Sequence, residues 1–221
     1  MIPHVEPAQY SVLRQQMVAS QLRNRGVRDE RVLAAMARVA RHEFAPERFR
    51  DQAYEDHPLP IGKEQTISQP YIVALMLEAL RISPTDRVLE IGTGSGYVTA
   101  LLAELALEII SVERHASLAE RAREVIAQLG CANVQIRTGD GSRGFRESAP
   151  YDVILVSAAA EEVPPALVEQ LAEGGRMIIP IGSDDAQQLQ LIEKRGGEVR
   201  IVPREMCRFV PLVQGPVPGQ D

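Results

Sequence analysis

The sequence predicts an α/β protein built on a doubly wound, mostly parallel sheet with an antiparallel edge at its C-terminal side. Three observations carry that expectation. Between about residues 87 and 180, strand-length apolar runs alternate with stretches whose apolar residues recur at helical spacing. The strand runs are continuous, Val153-Ile154-Leu155-Val156 being the plainest, as expected of strands covered on both faces. Two later runs, 188–195 and 198–202, flank Gly196-Gly197 and read as a hairpin.

Taken in order, residues 1–9 are expected to fray. Residues 10–25 carry Leu13, Met17, Val18 and Leu22 at helical intervals, and Gly26 is a good C-terminal stop. Asp29 can cap a second helix through Val32, Leu33, Met36 and Val39. Pro58 and Pro60 make 56–62 extended or turning. Residues 1–65 are therefore read as a helical lead-in to the main body, 66–213, and part of the same domain. The stretch from Ile72 to Leu80 is apolar on nearly every side, so its helix should be buried. Pro70 suits the first turn of that helix and leaves Thr66, Ser68 and Gln69 at its entrance.

Ser83-Pro84-Thr85-Asp86 turns the chain into a strand over 87–91, followed by a glycine turn and a helix with Val98, Leu101, Leu102 and Leu105. A strand over 108–112 and a helix over 116–129 come next, stopped by Gly130. Strands follow at 134–137, 151–156 and 176–180, with a helix from Pro164-Pro165 to Leu171 before the last. Residues 208–212 are expected to add a final edge strand, and 214–221 to form a disordered tail.

The chain has 221 residues, 45% hydrophobic and 24% charged, which suits one globular domain with a real core. With 24 basic and 30 acidic side chains the formal net charge is −6. Proteins that hold nucleic acid by bulk electrostatics are usually strongly basic, so none is expected as a partner. No apolar run reaches membrane-spanning length, and no secretory signal layout opens the chain, so no membrane partner is expected. Cys131 and Cys207 lie far apart, without metal-like spacing; they are expected as free thiols in a reducing cytoplasm, and no metal is expected. A monomer is expected.

The stretch Glu90-Ile91-Gly92-Thr93-Gly94-Ser95-Gly96 joins a strand to a helix N-terminus. Its glycines let backbone approach a ligand, and its exposed N–H groups favour a polar one. The glycine spacing departs from the dinucleotide pattern G-x-G-x-x-G, which makes a nicotinamide oxidoreductase the weakest candidate. Glu113 ends the next strand, where a carboxylate can accept from two vicinal ribose hydroxyls. This pattern resembles motif I of the class I S-adenosylmethionine-dependent methyltransferases. Asp140, in Gly139-Asp140-Gly141, could accept from an adenine amine; Gly-Asp-Gly is equally ordinary turn chemistry. Ser157-Ala158-Ala159-Ala160 carries no acid, base or nucleophile, and lacks the Asn/Asp-Pro-Pro-aromatic motif of methyltransferases that act on base amines. His4, His42, His57 and His115 suit solvated or packing roles. An acceptor that is already an anion needs no base, and a carboxylate with an ordinary pKa of about 4 is one.

A narrower resemblance covers roughly residues 10–214. Asp56-His57-Pro58-Leu59-Pro60-Ile61-Gly62, Gln65-Thr66-Ile67-Ser68-Gln69-Pro70-Tyr71 and Arg208-Phe209-Val210-Pro211-Leu212 resemble the protein-L-isoaspartate O-methyltransferases. That resemblance implies a class I methyltransferase (Rossmann-like) fold with a seven-stranded sheet and rearranged C-terminal strands. It implies methylation of the free carboxylate of L-isoaspartyl residues in damaged proteins and peptides, with S-adenosyl-L-methionine as methyl donor. In this mapping Ser68, with Thr66, orients the acceptor carboxylate. Glu90, Gly92, Thr93, Gly94, Ser95 and Gly96 form the cofactor cradle, Glu113 holds ribose, and Asp140 and Gly141 border adenine. Without the resemblance, Ser68 reads more simply as a cap of the Pro70 helix. Glu64 and Glu161 depart from it, standing where bacterial members often carry glycine and proline. Two alternatives stay open: a methyltransferase for one dedicated peptide aspartate or small carboxylate, and a non-catalytic S-adenosylmethionine-binding module. Residues 208–212 could also pair with substrate backbone as an added strand.

Overall fold

The computed structural model describes residues 8–183 and 186–216. Helix α1 (Ala8–Gln16) already contains Ala8 and Gln9, at the end of the stretch expected to fray; residues 1–7 lie outside the described part. It continues as a π-helical segment, Met17–Leu22, and a 3-10 turn, Arg23–Arg25. Gly26, at φ 106°, stops it in the left-handed conformation that glycine adopts without strain. Asp29 caps α2 (Glu30–Arg38) by accepting from the N–H groups of Arg31 and Val32. Two 3-10 turns, Arg41–Phe44 and Glu47–Gln52, lead out of the helical region.

The stretch expected only as extended or turning chain contains β1 (Leu59–Gly62), which pairs antiparallel with β2 (Gln65–Ile67). Lys63 and Glu64 make the turn, both at positive φ, 53° and 58°. Helix α3 (Pro70–Leu80) follows, with Pro70 in its first turn and Val73, Ala74, Met76, Leu77 and Leu80 buried.

The main sheet takes β3 (Arg87–Ile91), β4 (Glu108–Glu113), β5 (Val134–Thr138), β6 (Tyr151–Val156), β7 (Leu171–Ser183), β8 (Ala186–Arg195) and β9 (Glu198–Cys207). Its order is β5-β4-β3-β6-β7-β8-β9, parallel through β7 and antiparallel over the last two. This is the seven-stranded, class I arrangement the sequence implied. The β8–β9 hairpin is longer than expected because its polar solvent-side residues carry no strand signal. Residues 208–212 are not an edge strand; β9 is the edge. They run back over the sheet's end, where Ala159 donates to the Val210 carbonyl (2.8 Å) and accepts from the Leu212 N–H (2.7 Å).

Helices α4 (Tyr97–Leu105), α5 (Ala116–Gln128) and α6 (Pro165–Gln170) cover the sheet. Successive strand residues point to opposite faces. Val88, Ile109, Val153 and Leu155 join a cluster with Met17, Leu22, Leu33, Met36 and Leu101, while Leu89, Ile91, Ile110, Ile154 and Val156 pack with Leu167, Met177 and Ile179. The chain leaves β3 toward β4 and leaves β6 toward β7. That switch in direction opens a crevice at the strands' C-terminal ends.

Candidate active site

A cavity of about 420 Å³ occupies that crevice, a size suited to a small ligand. It is enclosed by the loop from β2 to α3, the glycine turn after β3 with the start of α4, the end of β4 with Arg114 and His115, Gly141 after β5, Ser157-Ala158 after β6, and 206–213. Of the residues the sequence singled out, Thr66, Ser68, Gly92, Thr93, Gly94, Ser95, Glu113 and Gly141 line it. Glu90, Gly96 and Asp140 are not among its lining residues.

The glycine turn is held open by its own backbone geometry. Gly92, Gly94 and Gly96 sit at φ 89°, 55° and 90°, a region that side-chain-bearing residues enter only at a cost. Gly92 N–H donates to the Val112 carbonyl (2.9 Å), and Gly96 N–H to that of Thr93 (2.9 Å). Gly96 itself is the N-cap of α4, packed against Ala122, Ile126 and Phe44.

Glu113 closes the other side of the turn. Its Oε2 accepts from Gly94 N–H and its Oε1 from His115 N–H, both at 2.8 Å. Each carboxylate oxygen keeps acceptor capacity for a ligand. Asp140 closes a turn instead of lining the cavity: Oδ1 accepts from Ser142 N–H (3.0 Å) and Oγ (2.7 Å), and Oδ2 from Gly215 N–H (2.8 Å). Arg114 donates to the carbonyls of Gly215 (3.0 Å) and Pro216 (2.6 Å). Residues 214–216, expected in a disordered tail, are thus tied across this end of the site; 217–221 lie outside the described residues.

Glu90 lies beneath the turn, fully buried. Its Oε2 accepts from the hydroxyls of Thr99 and Ser111, both at 2.6 Å, while Oε1 is buried without a partner. Ser111 spends its one proton on Glu90, so the 2.5 Å contact with Thr93 Oγ1 makes Thr93 the donor there. Burial pushes the Glu90 carboxyl up to about 7, with the Ser111 and Thr99 hydroxyls pulling it back and the Glu113 charge adding to the rise.

The Ser68 hydroxyl has no hydrogen-bond partner among the described residues. The N-cap of α3 is Gln69, and no side chain caps it, so the reading of Ser68 as a helix cap fails. The loop is held from behind. Gln69 Nε2 donates to Asp56 Oδ2 (2.8 Å) and carbonyl (3.1 Å), Tyr71 N–H to Asp56 Oδ1 (3.2 Å), and Arg41 Nη2 to the Ser68 carbonyl (2.9 Å). Asp56 was legible only as part of a motif. Arg41 gave no sequence signal, sitting alone in an irregular stretch. Glu64 and Glu161 are both exposed and line none of the cavity.

The family model for Protein-L-isoaspartate(D-aspartate) O-methyltransferase matches residues 13–216. A protein-L-isoaspartate O-methyltransferase of Koribacter versatilis is 54% identical over 204 residues, 92% of each chain. The chain belongs to the protein-L-isoaspartate O-methyltransferase family. A solved structure of that name aligns with a TM-score of 0.82 at 32% identity, over 92% of this chain and 67% of the other. A Plasmodium falciparum structure described as a β-aspartate methyltransferase in complex with S-adenosyl-L-homocysteine aligns at 0.79 and 29% identity, over 91% and 99%. The seven-stranded order fits that membership.

Proposed function

We propose that this cavity methylates the free carboxylate of L-isoaspartyl residues in damaged proteins and peptides, using S-adenosyl-L-methionine. The residues fit that cofactor: a cradle of glycines at positive φ and a carboxylate at the strand end for vicinal hydroxyls. When bound, it supplies an electrophilic methyl: the carboxylate O–C bond forms as the S–C bond breaks, the electron pair staying on sulfur.

The chain's own residues bind and orient. Gly92, Thr93, Gly94 and Ser95 give backbone room for the methionine part, with Gly96 ending the turn and Glu90 bracing it from below through the Thr99 and Ser111 hydroxyls. Glu113 accepts from the ribose hydroxyls. Gly141 borders adenine, in a turn shaped by Asp140. Ser68 donates to the acceptor carboxylate, with Thr66 beside it in the loop, and aims one oxygen at the methyl. Such alignment is worth up to about 7–11 kcal/mol in a bimolecular transfer. No base is needed, because the acceptor is ionised at neutral pH. The ester then collapses to a succinimide, whose hydrolysis returns part of the chain to aspartate. The observation that carries this reading is the unpartnered Ser68 hydroxyl on the cavity that the glycine turn also lines.

Two peptides, identical but for isoaspartate or aspartate at one site, test it with methyl-labelled S-adenosylmethionine. Base-labile label on the isoaspartyl peptide alone is expected; label on both or on neither refutes the reading. Ser68→Ala should lower kcat at least tenfold and leave S-adenosylhomocysteine affinity within twofold. Equal loss of both would make Ser68 structural.

The partners follow from the same reading: isoaspartyl proteins and peptides, with neither nucleic acid nor membrane. Among the described residues no helix is long and apolar enough to cross a membrane, and Cys131 and Cys207 are free thiols. A monomer in the cytoplasm is part of the same proposal, the free thiols fitting a reducing compartment.

A further inference from the structure

The side chain of Arg41 is fully buried, behind the loop that presents Ser68. Its Nε donates to the Ala53 carbonyl (2.7 Å) and its Nη2 to the Ser68 carbonyl (2.9 Å). Its guanidinium carbon lies 4.8 Å from the centre of the Tyr97 ring. Tyr97 opens α4 directly after the glycine turn and lines the cavity. One guanidinium therefore braces both the Ser68 loop and the exit of the glycine turn.

The charge has no direct ion-pair partner among the described residues. Nη1 is buried without a partner, as is the Tyr97 hydroxyl. Asp56, whose charge Arg41 feels, is paired with Arg25. Burial lowers the Arg41 pKa and the neighbouring tyrosines and Asp56 oppose that fall; a guanidinium nonetheless stays cationic at neutral pH. A buried cation without a counter-ion is costly, and packing alone would be better served by an apolar side chain of this size. The side chain meets two residues that line the cavity, Ser68 and Tyr97.

We propose that Arg41 is a positioning residue for methyl transfer, fixing the Ser68 peptide and holding a positive charge behind it that selects an anionic acceptor. This rests on the reading of the Ser68 loop as the acceptor side. In a poorly polarisable interior that charge acts on an arriving carboxylate with little screening. Its hydrogen bond also keeps the Ser68 carbonyl turned away from the cavity, so that the hydroxyl and not the carbonyl meets the acceptor.

The test uses the full chain with an isoaspartyl peptide, measuring kcat, peptide KM and S-adenosylhomocysteine Kd for Arg41→Gln, Arg41→Lys and Ser68→Ala. Arg41→Gln, without the charge, should raise peptide KM at least tenfold. Arg41→Lys keeps the charge and loses the fork; KM should rise less than threefold while kcat falls about tenfold. Both should leave the Kd within twofold. If Arg41→Gln does not fold, the split between kcat and KM in Arg41→Lys decides. Wild-type kinetics in both Arg41 variants, with impaired Ser68→Ala, overturns the role of Arg41 alone. Wild-type kinetics in all three overturns the acceptor-side reading as well. Parallel loss of peptide turnover and cofactor affinity in either Arg41 variant reduces Arg41 to a packing element and overturns the proposal.

Discussion

Glu90 shows how a single side chain under the site trades stability for charge. Its pKa, raised from 4.5 to about 7 by burial, means the folded protein keeps a proton that the unfolded chain releases. Stability from this group is therefore full below about pH 4.5 and declines as pH rises through 7. The loss is on the order of 3 kcal/mol at about 1.4 kcal/mol per pH unit. Glu90→Gln removes the titration, so its melting temperature without cofactor should pull ahead of wild type between pH 5 and 8. A gap between the two proteins that does not change with pH would sink this account. Glu113 is the converse case, a carboxylate held at the cavity wall by two backbone N–H groups. Hydrogen bonds to a charged group contribute about 1.5–3 kcal/mol, so Glu113→Ala should weaken S-adenosylhomocysteine binding roughly tenfold or more. Unchanged binding by calorimetry would remove it from the ribose site.

At the scale of elements, the signals that proved legible were local. Gly26, Asp29 and Pro70 each act through the backbone within a few residues of themselves, so their stop, cap and start could be read from sequence. The β1–β2 hairpin escaped because its strands are three and four residues long and carry a proline, and because its turn lacks the usual residues. A two-residue turn with both φ positive favours Asn-Gly, whereas this one holds Lys63 and Glu64. A side chain in the left-handed region costs about 1–2 kcal/mol, part of which glycine gives back in chain entropy. Glu64→Gly should then stabilise the protein by about 0.5–1 kcal/mol, measured by denaturant unfolding. Destabilisation would mean the Glu64 side chain makes a contact that outweighs the strain.

At the scale of the molecule, the helical lead-in shares its interior with the sheet. Met17, Leu22, Leu33, Met36 and Phe44, each at most 1% exposed, pack in one cluster with Val88, Leu101 and Val153. Burial of side chains this size contributes about 1.5–3 kcal/mol each, a sum comparable to the whole stability of a typical domain. A chain lacking residues 1–58 should lose its cooperative thermal transition by circular dichroism. A sharp transition in that fragment would establish the lead-in as a separable unit.

What the sequence determined by itself was whatever neighbouring residues decide together: strand and helix periods, the glycine turn, the strand-end carboxylate, and motifs long enough to carry a family resemblance. Only the tertiary structure decided what depends on residues far apart in the chain. It sent 208–212 back over the sheet's end, because Ala159 was there to take its backbone bonds. It set Asp140 to closing a turn against Gly215 and tied 214–216 to Arg114. It brought Arg41 behind Ser68, 27 positions away in the chain, and it buried Glu90 among hydroxyls from α4 and β4. Hydrogen bonding and charge act across space, and the partners that fix each group's role are known only once the chain has brought them together.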